Sequence, residues 1–130
     1  NFVKHGDIKN FVIVDAGMND LIRPTLYEAY HAILPVTEPG HDARRIRADV
    51  VGPVCESGDF LALDRDLPEP APGALLAVMS AGAYGAVQAG TYNTRPLVPE
   101  VLVNGAEWAL VRPRVEVDAL IALDRMPDWL

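Results

Sequence analysis

A mainly β domain with two or three short helices is the fold class this sequence predicts, and three observations carry it. Its apolar runs are short, rich in Val, Ile, Leu and Phe, and bounded by turn residues, as strands are. Asn104-Gly105 joins two such runs and supplies the positive φ angles of a tight hairpin. Eleven prolines and ten glycines punctuate the remainder, leaving clear helical spacing only in residues 21–31 and 118–125.

The elements follow in order. Residues 1–10 are polar and begin without methionine, so the chain reads as a piece of a longer protein. Phe11-Val12-Ile13-Val14 is a continuous run predicted to be a buried strand ending in the glycine turn Asp15-Ala16-Gly17. Asn19 or Asp20 is placed to cap a helix with Pro24 in its first turn, running from Leu21 to His31. A second strand is expected over Ala32 to Val36, then a loop from Thr37 to Arg45, then an imperfectly alternating strand from Ile46 to Val54. Phe60-Leu61-Ala62-Leu63 reads as a short strand, and Asp64 to Gly73, with Pro68, Pro70 and Pro72 among acids, reads as a surface loop. Ala74 to Met79 is predicted to be a buried strand that runs into a small-residue turn, Ser80 to Gly85. Another polar turn is expected at Tyr92 to Pro96. Val98 to Val103 and Glu107 to Val111 make the clearest hairpin, Asp118 to Arg125 a short amphipathic helix, and residues 127–130 a tail whose indole is expected to pack.

One domain is all that 130 residues imply, with a core large enough to need neither disulfide nor metal. No apolar run approaches the roughly 20 residues that cross a bilayer, and no signal peptide opens the chain, so a cytoplasmic protein is expected. The single cysteine agrees with a reducing compartment. With a net charge of -7, eighteen acids against eleven basic residues, nucleic acid is an unsuitable partner. Both lysines, Lys4 and Lys9, fall near the start, leaving arginine as the main cation; Arg23, Arg95 and Arg112 each adjoin a proline whose rigid backbone can aim a guanidinium. His5, His31 and His41 show no ligand spacing with Cys55 or with one another, and no metal site is expected.

Three places carry chemistry-bearing side chains. In Gly52-Pro53-Val54-Cys55-Glu56-Ser57-Gly58-Asp59 a thiol and a carboxylate sit on a stiff turn, where they can donate a proton and hold an ammonium; a small buried packing residue is the other reading of Cys55. Arg23 and Tyr27, four apart, share a helix face and can both donate to one carboxylate, or serve as an ordinary surface pair. The cluster Ser80-Ala81-Gly82-Ala83-Tyr84-Gly85 allows close backbone approach and could offer N–H groups and the Tyr84 hydroxyl to an anion such as phosphate, or simply pack tightly.

Together, Val14-Asp15-Ala16-Gly17-Met18-Asn19-Asp20-Leu21-Ile22-Arg23-Pro24, Leu26-Tyr27-Glu28-Ala29-Tyr30-His31, Cys55-Glu56-Ser57-Gly58-Asp59 and Ala81-Gly82-Ala83-Tyr84-Gly85 resemble, in order and spacing, the diaminopimelate decarboxylase family, from about Phe11 onward. Ornithine decarboxylase and its relatives share the Gly-Ala-Tyr turn. The resemblance implies a fold-type III pyridoxal-phosphate decarboxylase whose β-barrel- or sandwich-like C-terminal domain is this chain, residues 1–130, with the (β/α)8 barrel and the cofactor lysine outside it. It implies a homodimer with its active site at the interface, and the conversion of meso-2,6-diaminopimelate to L-lysine and CO2 in lysine biosynthesis. By the same resemblance Arg23 and Tyr27 bind the substrate's distal carboxylate and Glu56 its distal ammonium. Cys55 stands near the reacting carbon, both Glu56 and Cys55 act across the interface, and Tyr84 meets substrate and the pyridoxal 5'-phosphate. This chain alone is expected to be inactive, and, stripped of its barrel, to expose an apolar face and self-associate. Two alternatives remain: a decarboxylase of another carboxylated polyamine precursor or basic amino acid, which would use the helix at Arg23 differently, and a non-catalytic β-barrel binding module, which predicts a deeply buried Cys55.

Overall fold

A computed structural model describes residues 2–129. Asn1 and Leu130, the outer ends of the expected polar lead and tail, lie outside the described residues. In chain order the elements are β1 (Phe2–Lys4), β2 (Asn10–Ile13), α1 (Arg23–Tyr27), β3 (Ile33–Pro35), β4 (Arg45–Val51), β5 (Phe60–Pro68), β6 (Leu76–Val78), α2 (Gly82–Gln88), a 3₁₀ turn (Tyr92–Thr94), β7 (Glu100–Asn104), β8 (Glu107–Arg112) and α3 (Val117–Ile121).

The strands form a four-stranded sheet in the order β1-β2-β4-β5 and two two-stranded sheets, β3-β6 and β7-β8. Mainly β is thus the observed class, but the main sheet is open, with edges at β1 and β5, and not a closed barrel. Only β2 and β4 are parallel, which requires the crossover that carries α1 and β3 between them. Val12, Ala48, Val50, Leu61, Ala62 and Leu67 from this sheet pack with Leu21 and Ile33 into one apolar core.

β5 corrects the expectation of a loop after Leu63: pairing with β4 continues to Arg45↔Pro68. Pro68 is tolerated because it ends the strand, and the acids that suggested a loop are edge residues bound across the ladder, Arg47 to Asp64 and Arg45 to Asp66. The register shifts between Ala48 and Val50, leaving Asp64 at φ 51°. Asp49, on the bulge, turns inward and accepts the Asp64 N–H at 2.7 Å and the Lys9 ammonium at 2.8 Å. That bond and charge hold Lys9 protonated above its ordinary range.

Other differences are local. The expected strand at Ala74–Met79 is shorter and only half-buried, because it pairs on one side alone, with β3. The hairpin loop is Gly105-Ala106, with Asn104 already paired to Glu107; only Gly105 lies at positive φ, 60°, the φ signs of a type II′ turn. Its first strand starts at Glu100 and not Val98, while Leu97 bridges to Val115. The terminal helix ends at Ile121 and not Arg125. Trp129, expected to pack, is 81% exposed: Leu123 and Met126 beside it are also exposed, so this segment lies on no apolar surface of its own chain. β7 and β8 show the same feature, with Val101, Leu102, Val103, Trp108, Leu110 and Val111 all exposed.

Candidate functional site

The turn between β4 and β5 is built on one buried carboxylate. Asp59 accepts the N–H of Met18 at 2.6 Å on one oxygen and the N–H of Val54 at 2.5 Å on the other. It thereby ties the Gly17-Met18 turn to the base of the Cys55 loop. A Cβ on Gly52 would stand 2.5 Å from both oxygens and 2.7 Å from the Ala16 carbonyl, so only glycine leaves room. Backbone bonds from Gly52 N to Asp59 O at 3.0 Å and from Asp59 N to Glu56 O at 3.0 Å close the loop. Val54 is buried beneath it, and Cys55 and Glu56 are thrust outward. The exposure of Cys55 contradicts the packing reading and the deep burial that a binding module predicted.

The segment before α1 is stiffened in the same way. Gly17 N donates to Asp20 Oδ2 at 2.8 Å, and Leu21 N to Gly17 O at 3.2 Å. Asp20 therefore serves the turn, and neither it nor Asn19 caps the helix, whose N-cap is Ile22 without a side-chain bond. Pro24 stands in the first turn as expected. The helix expected to reach His31 ends at Tyr27, because Glu28 adopts a left-handed conformation (φ 56°) and Ala29 N returns to Arg23 O at 3.3 Å. His31 lies instead in the core, where Nδ1 donates to the Met79 carbonyl at 3.0 Å. Thr25, two residues after Arg23, donates to the Gly58 carbonyl and joins α1 to the Cys55 loop.

α2 replaces the turn expected at Ser80 to Gly85. Glycine disfavours helix, which hid it, but Gly85 is buried where a Cβ would lie 3.7 Å from Leu21 Cδ1, so α2 packs closely on Leu21, two residues before α1. Arg23 consequently lies 5.5 Å from the centre of the Tyr84 ring, and Gln88 Nε2 donates to the Tyr27 hydroxyl at 3.3 Å. Three of the five residues singled out in the sequence, Arg23, Tyr27 and Tyr84, are thus brought to one surface. Cys55 and Glu56 sit on the neighbouring loop, which Thr25 ties to α1, and neither side chain bonds to that group among the described residues. Gln88 escaped the sequence reading; its i, i+4 spacing from Tyr84 was the available signal.

Charge pairing separates the proline-flanked arginines. Arg95 donates to the Asp15 carbonyl at 2.6 Å and lies 3.6 Å from Asp20; Arg112 pairs with Glu100. Arg23 has no carboxylate partner among the described residues, and neither does Glu56 a cation. An unpaired guanidinium beside a phenol, and an unpaired carboxylate on the next loop, suit a ligand bearing both charges. For a phosphorylated cofactor the chain offers the exposed Tyr84 and, at Gly82, backbone with open space around it. It offers no free internal amine at Lys9, which Asp49 binds.

Residues 1–82 match the family model described as pyridoxal-dependent decarboxylase, C-terminal sheet domain. The chain is 49% identical over 128 residues to a diaminopimelate decarboxylase of Zymomonas mobilis, covering 98% of this chain and 30% of that protein. A crystal structure from Aquifex aeolicus superposes with a TM-score of 0.89 at 50% identity, covering 94% of this chain and 30% of the other. The diaminopimelate decarboxylase of Helicobacter pylori complexed with L-lysine superposes with a TM-score of 0.83 at 43% identity, covering 94% and 29%. The chain therefore spans about 30% of the length of the relatives it matches.

Proposed function

The chain belongs to the pyridoxal-dependent decarboxylases, as their C-terminal sheet domain, and from that premise we propose that it forms the substrate-binding part of a cytoplasmic diaminopimelate decarboxylase. The reaction removes the carboxylate from the D-centre of meso-diaminopimelate and yields L-lysine and CO2. Pyridoxal phosphate, when bound, supplies the electron sink for the carbon that loses CO2. The chain's own residues select and hold the far end of the substrate. Arg23, with the Tyr27 hydroxyl one turn on, takes the distal carboxylate; Glu56 takes the distal ammonium. Opposite charges in fixed places exclude a plain diamine, which would leave the guanidinium unpaired. Cys55, exposed beside Glu56, supplies the proton that replaces the departed carboxylate at carbon. Tyr84 meets the cofactor phosphate, where the open backbone at Gly82 permits close approach.

The observation that carries this reading is Arg23: unlike Arg95 and Arg112, which also adjoin prolines, it has no carboxylate partner among the described residues, and it lies against Tyr84. In the full-length enzyme, Arg23→Ala should raise KM for diaminopimelate roughly 100-fold, the effect of losing a charge-assisted pair, while the bound cofactor's absorbance persists. An unchanged KM, or loss of cofactor in its place, would overturn the assignment.

We further propose a homodimer in which Cys55 and Glu56 serve the partner's site. Its support is the outward exposure of Cys55 and the exposed apolar face of β7 and β8. Mixing full-length Arg23→Ala and Cys55→Ala subunits should then restore about a quarter of normal activity, since half the dimers are mixed and each has one intact site. No recovery after verified subunit exchange would refute the shared site.

A further inference from the structure

The loop after α2 carries features that the proposed chemistry leaves unused. Asn93 and Thr94 both adopt left-handed backbone, at φ 62° and 56°. For a β-branched residue that conformation is strained, and it persists only where surrounding bonds enforce it. Those bonds are present at both ends of the loop. At its start, Gly90 N donates to Asn19 O at 2.8 Å; at its end, Arg95 Nη2 donates to Asp15 O at 2.6 Å and lies 3.6 Å from Asp20 Oδ2. Both anchors belong to one turn, residues 15–20, and Asp59 holds that same turn through Met18 N at the base of the Cys55 loop. The strained loop and the Cys55 loop are therefore fastened to a common frame.

What the strain delivers is Tyr92. Its hydroxyl stands 3.5 Å from Glu56 Oε2, while the other oxygen, Oε1, accepts the Gly58 N–H at 3.3 Å. The first distance is long for an O–H···O bond and places the hydroxyl at the outer edge of hydrogen-bond reach of the carboxylate. The two oxygens of the carboxylate thus face two different donors, the Gly58 N–H and the Tyr92 hydroxyl. We infer that Tyr92 is a positioning residue for Glu56: its hydroxyl donates to the carboxylate and fixes the direction in which it receives the substrate's distal ammonium. This rests on the role proposed above for Glu56.

The test uses the full-length enzyme, with Tyr92→Phe, Glu56→Ala and the double variant. Tyr92→Phe keeps the ring and deletes only the hydroxyl. It should raise KM for diaminopimelate about three- to tenfold, the size of one ordinary hydrogen bond, with kcat held, and weaken L-lysine binding measured calorimetrically by a similar factor. In the Glu56→Ala background the same change should add nothing. If Glu56→Ala raises KM and Tyr92→Phe does not, the role of Tyr92 is overturned alone. If Tyr92→Phe costs as much without Glu56 as with it, the hydroxyl acts elsewhere and the inference fails. If Glu56→Ala leaves KM unchanged, the role of Glu56 falls and this inference falls with it.

Discussion

Replacing Asp59 tests the idea that one buried carboxylate builds the Cys55 loop. Asp59 is 5% exposed and accepts two backbone N–H groups, from Met18 and Val54. A bond to a charged acceptor contributes about 1.5–3 kcal/mol. Two of them at the lower end, since the Met18 bond is only part-buried, give about 3 kcal/mol for Asp59→Ala. For a chain of this size a urea m-value near 1.5 kcal/mol/M is reasonable, so the midpoint should fall by about 2 M. Far-UV circular dichroism is the suitable probe, because Trp108 and Trp129 are both exposed and report little of the core. Asp59→Asn should cost less, about 2 kcal/mol, since one oxygen remains but the amide N–H₂ faces the other donor. Gly52→Ala acts on the same carboxylate by sterics, and overpacking of this kind costs about 1–3 kcal/mol. Combined with Asp59→Ala it should cost much less than the sum, because the clash disappears with the oxygens. A midpoint for Asp59→Ala within about 0.3 M of the parent would refute the reasoning.

Two further outcomes follow from exposure and charge. In this 130-residue domain by itself Cys55 is exposed and is the single cysteine, so its thiol should react with a disulfide reagent under native conditions as fast as in urea; protection by tenfold or more would contradict its position. The Arg47 guanidinium, chiefly through its hydrogen bond, holds Asp64 below the usual carboxylate range. A depressed folded value means that this contribution to stability is present above the unfolded value and lost as pH falls through the folded one. Arg47→Ala should therefore move the Asp64 midpoint upward in a carboxyl NMR titration; an unmoved midpoint would show that the pair does not hold in solution.

The sequence made much of this protein legible by itself, and for local reasons. β2, β3 and the hairpin were readable because short apolar runs between turn residues have few other uses, and Arg23 with Tyr27 because four residues make one helical turn. The Cys55-Glu56 turn was legible because Gly52, Pro53 and Gly58 deny it regular structure. What failed depended on partners distant in sequence. The proline-rich acids after Leu63 became strand because Arg45 and Arg47 lie across from them. The small residues at 82–88 became helix because Leu21 accepts a close neighbour. Asp59 looked like one more loop acid until Met18, forty-one residues away, was found bound to it. The sequence by itself determined which residues could carry charge, proton or phenol, and the local turns that hold them. Only the tertiary structure decided which charges are neutralised internally and which, like Arg23 and Glu56, have no opposite charge beside them among the described residues, because pairing depends on distances that the order of residues does not contain.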